Sequence, residues 1–135
     1  MLLALRNITK SYRSGDMLTP VLHGITLNME PGEYVAIMGQ SGSGKSTLMN
    51  VLGLLDQSDQ GSYLLNGQDV TRLSPAQLAE VRNKTIGFVF QSFNLLKRMN
   101  VLENVALPLI YAGISRSQAK KRAQQLLSRV GLAEL

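Results

Sequence analysis

Hydrophobic and polar positions alternate as in β-strands over much of the first part of the chain. Residues 3–9 predict a short strand, and residues 25–29, where apolar and polar side chains alternate, predict a half-buried one. Two short, continuous apolar runs, Tyr34–Met38 and Ile86–Phe90, predict strands that are buried on both faces. Asn66-Gly67, inside the segment SYLLNGQDV, predicts a two-residue hairpin turn.

Three helices are predicted from the residues at their N-termini. Residues 74–77 (SPAQ) combine an N-cap serine, a proline at the first helical position and a glutamine that closes a capping box. Residues 115–118 (SRSQ) repeat this box, and residues 100–103 contain a looser version of it. Pro108 is expected to kink or end the second of these helices along the chain, and Gly131 is well placed to stop the last one. The mixture of strands and helices predicts an α/β fold.

The strongest candidate chemistry lies in the segment Gly39–Thr47, GQSGSGKST, which satisfies the pattern G-x-x-x-x-G-K-[ST]. It follows the apolar run that ends at Met38 and precedes apolar positions with helical spacing. Glycines let successive backbone N–H groups point at phosphate oxygens, and a helix that begins near Gly44 adds the positive end of its dipole. The segment therefore predicts a phosphate-binding loop, with a glycine turn that binds no ligand as the alternative.

Individual side chains of this segment have distinct expected roles. Lys45 places a compact positive charge against the β- and γ-phosphates, and the hydroxyl of Ser46 is positioned to bind Mg²⁺. Thr47 can donate a hydrogen bond to an oxygen of the α-phosphate. The predicted phosphate-binding set consists of Gly39, Ser41, Gly42, Ser43, Gly44, Lys45, Ser46 and Thr47.

Three competing motifs are rejected, the first two of them on a single position each. A dinucleotide-binding fingerprint that starts at Gly42 would need glycine where the chain has Thr47. Asn83-Lys84 begins like a guanine-reading N-K-x-D pattern, but Ile86 occupies the position after next. The run Leu52–Asp56 (LGLLD) imitates a strand that ends in a magnesium-binding aspartate, but we assign it to the helix after the phosphate loop.

Composition and charge narrow the class of protein. The 135 residues, 44% of them hydrophobic, correspond to one domain, and the absence of cysteine with only one histidine excludes disulfides and multi-histidine metal sites. The net charge of +5 comes from residues 61–135, where basic residues predominate. Two explanations for that charge are open. The basic residues form solvated helix faces, or they contact loops of a membrane subunit and anionic headgroups. Nucleic-acid binding is not expected, because aromatic residues are not interleaved with the basic ones.

With Tyr12 and Gln91 added to the phosphate loop, the chain resembles the ATP-binding subunit of ABC transporters over its whole length. Tyr12, in KSY, matches the aromatic residue that stacks on adenine in that family. Gln91 follows the run IGFVF, where the family carries its Q-loop glutamine, which implies an amide that reaches Mg²⁺ or the attacking water. Taken alone, each of the two residues would be an ordinary strand-end or loop residue.

The resemblance implies a P-loop NTPase core of the ABC ATPase type, with an N-terminal antiparallel β element and a partial helical subdomain. It divides the chain into residues 1–91, the β element and phosphate-loop core, and residues 92–135, the start of the helical subdomain. Residues 100–109 and 123–132 look most like the branch that powers macrolide export and lipoprotein release. The implied partners are Mg-ATP, a transmembrane subunit and a second copy of the ATP-binding domain, at the cytoplasmic face of the cell membrane.

Several motifs of the family pattern are not identified in this sequence. We identify no Walker B aspartate with a catalytic glutamate and no LSGGQ-type signature, and His23 precedes the phosphate loop and cannot be the switch histidine. We therefore expect an N-terminal fragment of a longer ATPase, in which Lys45 and Gln91 are the catalytic candidates within this sequence. A nucleotide-binding module that does not hydrolyse, and another phosphate-loop enzyme such as a small-molecule kinase, are the alternatives.

Overall fold

The computed structural model describes residues 1–133. They form two compact units, one of them Met1–Ala79 and the other beginning at Glu80. The strands are β1 (Leu3–Ser14), β2 (Met17–Met29), β3 (Gln60–Leu65) and β4 (Gln68–Asp69), and the helices are α1 (Lys45–Leu52), α2 (Pro75–Thr85), α3 (Val101–Tyr111) and α4 (Arg116–Arg129).

The four strands form one antiparallel sheet in the order β2-β1-β3-β4. β1 and β2 are longer than their apolar patterns predict, because they continue as a hairpin to the pair Ser14 and Met17. The predicted turn at Asn66-Gly67 is confirmed. Both residues have positive φ angles, 50° and 77°, as a type I′ turn requires, and they join the pair Leu65 and Gln68.

The core of the first unit lies between this sheet and α1. Leu5 and Ile8 of β1 are fully buried, and α1 contributes Leu48 and Val51. The other buried apolar residues of this unit are Leu3, Ala4, Leu22, Leu54, Tyr63, Leu65, Val70 and Leu78. The predicted antiparallel β element with accompanying helices is thus confirmed.

The two runs predicted as buried strands are neither strands nor buried. Residues 34–38 and 86–90 have no regular secondary structure, and Tyr34 and Val89 are each 96% exposed. A strand is stable only when its backbone N–H and C=O groups are paired, and no strand among residues 1–133 pairs with either run. The prediction was wrong because an apolar run indicates what can be buried, while pairing depends on a neighbouring strand.

The second unit contains α3 and α4, which pack through small side chains. Ala106 of α3 and Ala119 and Ala123 of α4 are completely buried and let the two helices approach closely. The predicted N-cap bonds are confirmed. Asn100 and Glu103 form a complete capping box, and Ser115 accepts a hydrogen bond from the backbone of Gln118.

The predicted end of α4 is confirmed, and of the two outcomes expected at Pro108, a kink or an end of the helix, the end is not observed. Gly131, with φ of 77°, terminates α4, and the N–H of Leu132 donates to the carbonyl oxygen of Leu127 across the helix end. Pro108 does not end α3, which continues to Tyr111. A proline costs a helix about 3 kcal/mol, and packing against a neighbouring helix can offset this cost.

Candidate functional site

Gly39–Thr47 forms a loop that leads directly into α1. Gly42 and Gly44 have φ angles of 79° and 89°, which side-chain-bearing residues rarely adopt. The N–H of Ser43 donates to the carbonyl oxygen of Gln40, which closes a turn inside the loop. The glycines of the motif therefore allow a tight bend in the main chain.

The ammonium group of Lys45 lies against this loop. Its Nζ donates to the carbonyl oxygens of Gly39, at 2.7 Å, and of Gln40, at 2.6 Å, and lies 3.3 Å from Oγ of Ser43. The three donors of the ammonium thus have oxygen partners within the loop.

The first turn of α1 offers further donors. Gly44 is the N-cap residue and gives no side-chain hydrogen bond to the helix. The backbone N–H groups of a first helical turn have no partner within the helix, and the helix dipole favours negative charge at this end. Ser46 lies in this turn and is exposed. The turn therefore has the donors and the polarity of an anion-binding site.

A cleft of about 620 Å³ joins this loop to the strand region. It is lined by Tyr12, Val21, Ser41, Gly42, Gly44, Lys45, Ser46 and Thr47. Its volume falls within the range of 300–1,000 Å³ that is typical of small-molecule sites. The structure thus brings Tyr12 together with most of the predicted phosphate-binding set. Gly39 and Ser43 lie in the same loop, where both contact the Lys45 ammonium.

The hydroxyl group of Tyr12 is anchored by a residue that the sequence patterns did not single out as functional. Its Oη donates a hydrogen bond of 2.8 Å to Oδ2 of Asp56, and Nζ of Lys10 lies 5.3 Å from the centre of its ring. Partial burial and the hydrogen bond to Asp56 raise the pKa of Tyr12, while hydrogen bonding with Thr47 and the charge of Lys10 act in the opposite direction. Tyr12 is therefore held at the rim of the cleft as a neutral phenol.

Asp56 also forms an ion pair with Lys10. The Lys10 ammonium donates 2.7 Å hydrogen bonds to Oδ1 of Asp56 and to the carbonyl oxygen of Gln57. Burial acts to raise the pKa of Asp56, but hydrogen bonds from Lys10, Tyr12 and the Gln57 backbone outweigh it, so the pKa lies below its ordinary value. Asp56 does not lie at the end of a strand, which confirms the rejection of the LGLLD motif. The assignment of that run to the helix was wrong beyond Leu52, because α1 ends there and Asp56 lies in the turn that follows.

Gln91 lies in the second unit, exposed, in the non-helical segment before α3. Its predicted catalytic and metal-binding role stays a prediction. Among residues 1–133, no group of three or more histidine, cysteine, aspartate or glutamate side chains is arranged to hold a metal ion. At phosphate loops Mg²⁺ is held by few protein groups, a serine or threonine hydroxyl among them, together with phosphates and waters, and the exposed hydroxyl of Ser46 in the cleft fits that mode.

No helix in the part of the chain that the structure describes is both long and apolar enough to cross a membrane. The longest of them, α4, has 14 residues and carries basic side chains, whereas a spanning helix needs about 20 predominantly apolar residues.

Residues 22–135 match the protein family described as ABC transporter. The chain is 54% identical over 135 residues to the macrolide export ATP-binding/permease protein MacB of Syntrophobacter fumaroxidans, covering 98% of this chain and 19% of that protein. It is 50% identical over 133 residues to the ABC transporter ATP-binding protein YknY of Bacillus subtilis, covering 98% of this chain and 58% of that one. The chain thus spans less than two thirds of either relative.

A solved structure is also similar. The dimeric ATP-binding cassette MJ0796, in a post-hydrolysis state bound to ADP and Pi, superimposes with a TM-score of 0.85 at 40% sequence identity. The match covers 93% of this chain and 56% of that one.

Proposed function

The chain belongs to the ABC transporter family, and on that premise we propose that it binds Mg-ATP through Gly39–Thr47 and Tyr12. One observation carries the proposal: a single cleft joins an aromatic ring to a glycine loop, a lysine and a helix N-terminus. An aromatic ring recognises a base by stacking, and the loop recognises phosphates through N–H groups and positive charge. ATP has both parts.

The loop residues act on ATP by binding and charge compensation. The Lys45 ammonium exchanges its carbonyl partners Gly39 and Gln40 for β- and γ-phosphate oxygens, and the first turn of α1 donates N–H groups to the same phosphates. Ser46 offers a hydroxyl ligand for Mg²⁺, and Thr47 donates to the α-phosphate. Mg²⁺, when bound, neutralises charge on the phosphates.

We further propose that the protein couples ATP hydrolysis to transport through a membrane partner. The name of the Syntrophobacter relative includes macrolide export and a permease, which supports export through a transmembrane subunit or domain. The dimeric state of the similar cassette supports a homodimer of ATP-binding domains. In this proposal Gln91 provides an amide oxygen to Mg²⁺ or the attacking water, and the protein works at the cytoplasmic face of the cell membrane.

Replacing the loop lysine tests the proposal. We expect Lys45→Ala to weaken Mg-ATP binding by at least about tenfold, measured by isothermal titration calorimetry, because hydrogen bonds to charged groups contribute about 1.5–3 kcal/mol each. Lys121→Ala on the exposed face of α4 removes the same charge elsewhere and serves as the control. Unchanged affinity in Lys45→Ala, with the fold intact by circular dichroism, would refute the phosphate-loop assignment.

A further inference from the structure

One carboxylate connects Lys10 and Tyr12, two residues of β1 of which Tyr12 lines the cleft. Lys10 and Tyr12 are two positions apart on the strand, so their side chains leave the same face. Both reach Asp56 in the turn after α1. Tyr12 donates to Oδ2 at 2.8 Å, and Lys10 donates to Oδ1 at 2.7 Å. Each oxygen of the carboxylate therefore holds a different side chain of the same strand.

The Lys10 side chain is itself well fixed. It is only 12% exposed and donates a second hydrogen bond, of 2.7 Å, to the carbonyl oxygen of Gln57. Its ammonium lies over the Tyr12 ring, 5.3 Å from the centre, which is within the distance of a cation–π contact. Lys10 therefore stabilises one face of the ring, and Tyr12 as a whole stays 41% exposed.

The turn that presents Asp56 is held from several sides. Leu54, just after α1, is buried and adopts a φ of 54°, which reverses the chain, and the N–H of Asp56 donates to the carbonyl oxygen of Asn50 in α1. The N–H of Gln57 donates to Oδ1 of Asp56 at 2.8 Å. Because α1 also begins at the phosphate loop, one helix has the loop at its start and the tyrosine anchor just after its end.

We propose that Asp56, together with Lys10, is a positioning residue that fixes the Tyr12 ring for stacking on the base of a nucleoside triphosphate. The proposal rests on the proposed function, in which the loop binds the phosphates. Tyr12 is 41% exposed, and an unanchored ring would have to be ordered when the ligand binds. Ordering the ring in advance removes that entropic cost and raises the share of the affinity that the base contributes.

The experiment compares a ligand that has a base with one that has none. Mg-ATP and Mg-tripolyphosphate are titrated into the protein and its variants by calorimetry. We expect Asp56→Ala to lower the affinity for ATP about three- to tenfold, while the affinity for tripolyphosphate changes less than about twofold. Asp69→Ala is the matched control, because Asp69 also accepts a local backbone N–H, from Thr71, but lies outside the cleft. An equal loss for both ligands in Asp56→Ala would overturn the proposal, since it would indicate general damage to the loop.

Tyr12→Phe provides a second test that retains the ring. Without its hydroxyl the ring loses the hydrogen bond to Asp56. We therefore expect the affinity for ATP to fall about two- to fivefold and the affinity for tripolyphosphate to stay unchanged. Adding Asp56→Ala to Tyr12→Phe should then lower the affinity for ATP by less than about twofold more, because the hydrogen bond between the two residues is already absent. Fully additive losses would overturn the proposal. Asp56→Asn keeps an acceptor for the hydroxyl and should restore part of the affinity that Asp56→Ala loses.

Failure of the proposed function gives a different pattern. If Lys45→Ala leaves both ligands unaffected, the phosphate loop does not bind them. If Tyr12→Ala leaves the affinity for ATP unchanged, the ring does not stack on the base. If Lys45→Ala and Tyr12→Ala both lower the affinity for ATP, while Asp56→Ala and Tyr12→Phe bind ATP as the wild type does, only the positioning role is refuted.

Discussion

The hydroxyl of Tyr63 on β3 donates a hydrogen bond of 2.9 Å to the main-chain carbonyl oxygen of Leu52, the last residue of α1. Tyr63 is only 3% exposed, so this bond joins a buried strand residue to the C-terminus of the helix that begins at the phosphate loop. The last four carbonyl groups of a helix have no partner within it. Tyr63 supplies a hydrogen-bond donor for one of these carbonyl groups and thereby connects α1 to the sheet.

We expect Tyr63→Phe to lower the free energy of unfolding at neutral pH by about 1–2 kcal/mol, because the change removes the bond and leaves a carbonyl group without its donor. Urea unfolding followed by circular dichroism measures this. Tyr34→Phe is the control, since Tyr34 is 96% exposed and its hydroxyl is already in solvent. Equal stability of the two variants would show that the Tyr63 bond contributes nothing.

The same tyrosine predicts how stability depends on alkaline pH. Burial raises the pKa of Tyr63 to about 12, against about 10 in the unfolded chain. The folded state therefore holds this proton more tightly. The stabilisation is complete below about pH 10 and is lost as the pH rises through about 12. The difference in unfolding free energy between the wild type and Tyr63→Phe should be constant up to about pH 10 and shrink above it. A difference that stays constant to about pH 12 would contradict the burial of this phenol.

Local sequence signals predicted the parts of the fold that depend on neighbours in the chain. The capping box at Asn100 and Glu103, the helix stop at Gly131 and the hairpin at Asn66-Gly67 each involve residues at most a few positions apart. Such features are set by hydrogen bonds between near neighbours and by the φ angles that each residue type allows, and both can be inferred from the residue types alone. The bend in Gly39–Thr47 and the start of α1 after it were predictable for the same reason.

Features that depend on distant parts of the chain were not predictable in this way. Residues 34–38 are apolar enough for a strand, but the pairing of a strand depends on a partner that hydrophobicity does not specify. Asp56 meets Tyr12 across 44 positions of sequence, because the β1 strand runs to Ser14 and Leu54 reverses the chain after α1. The alternation of Lys10 and Tyr12 along an extended strand was the only sequence signal of that contact.

Gly61 on β3 is a position where glycine is required by close packing. A Cβ atom there would lie 2.5 Å from the carbonyl oxygen of Arg6 and 2.6 Å from that of Asn7, and its φ is +96°. We expect Gly61→Ala to destabilise the protein by about 2–3 kcal/mol, because β1 must move away between Arg6 and Thr9, where its register with β3 shifts. Thermal unfolding and urea titration measure this.

Gly67→Ala separates steric crowding from backbone strain. Gly67 has a similar φ, +77°, but a Cβ there meets no atom within 4 Å. Its replacement should cost only about 1 kcal/mol, the penalty of a left-handed conformation for alanine. Losses of equal size at the two positions would show that the contact of Gly61 with β1 carries no additional cost.

Gly44 determines where α1 starts, and its replacement should affect ligand binding. A Cβ at this position would lie 3.1 Å from both the carbonyl oxygen of Val21 and a methyl group of Leu22, and φ is +89°. Because Leu22 is buried and paired with Lys10 in the sheet, we expect the loop to shift instead, which misaligns the N–H groups of the first helical turn. We expect Gly44→Ala to weaken Mg-ATP at least about tenfold in calorimetry. Gly87→Ala, at a position with no atom within 4 Å of the new Cβ, is the control. Wild-type affinity in Gly44→Ala would show that the loop does not bind phosphate through this turn.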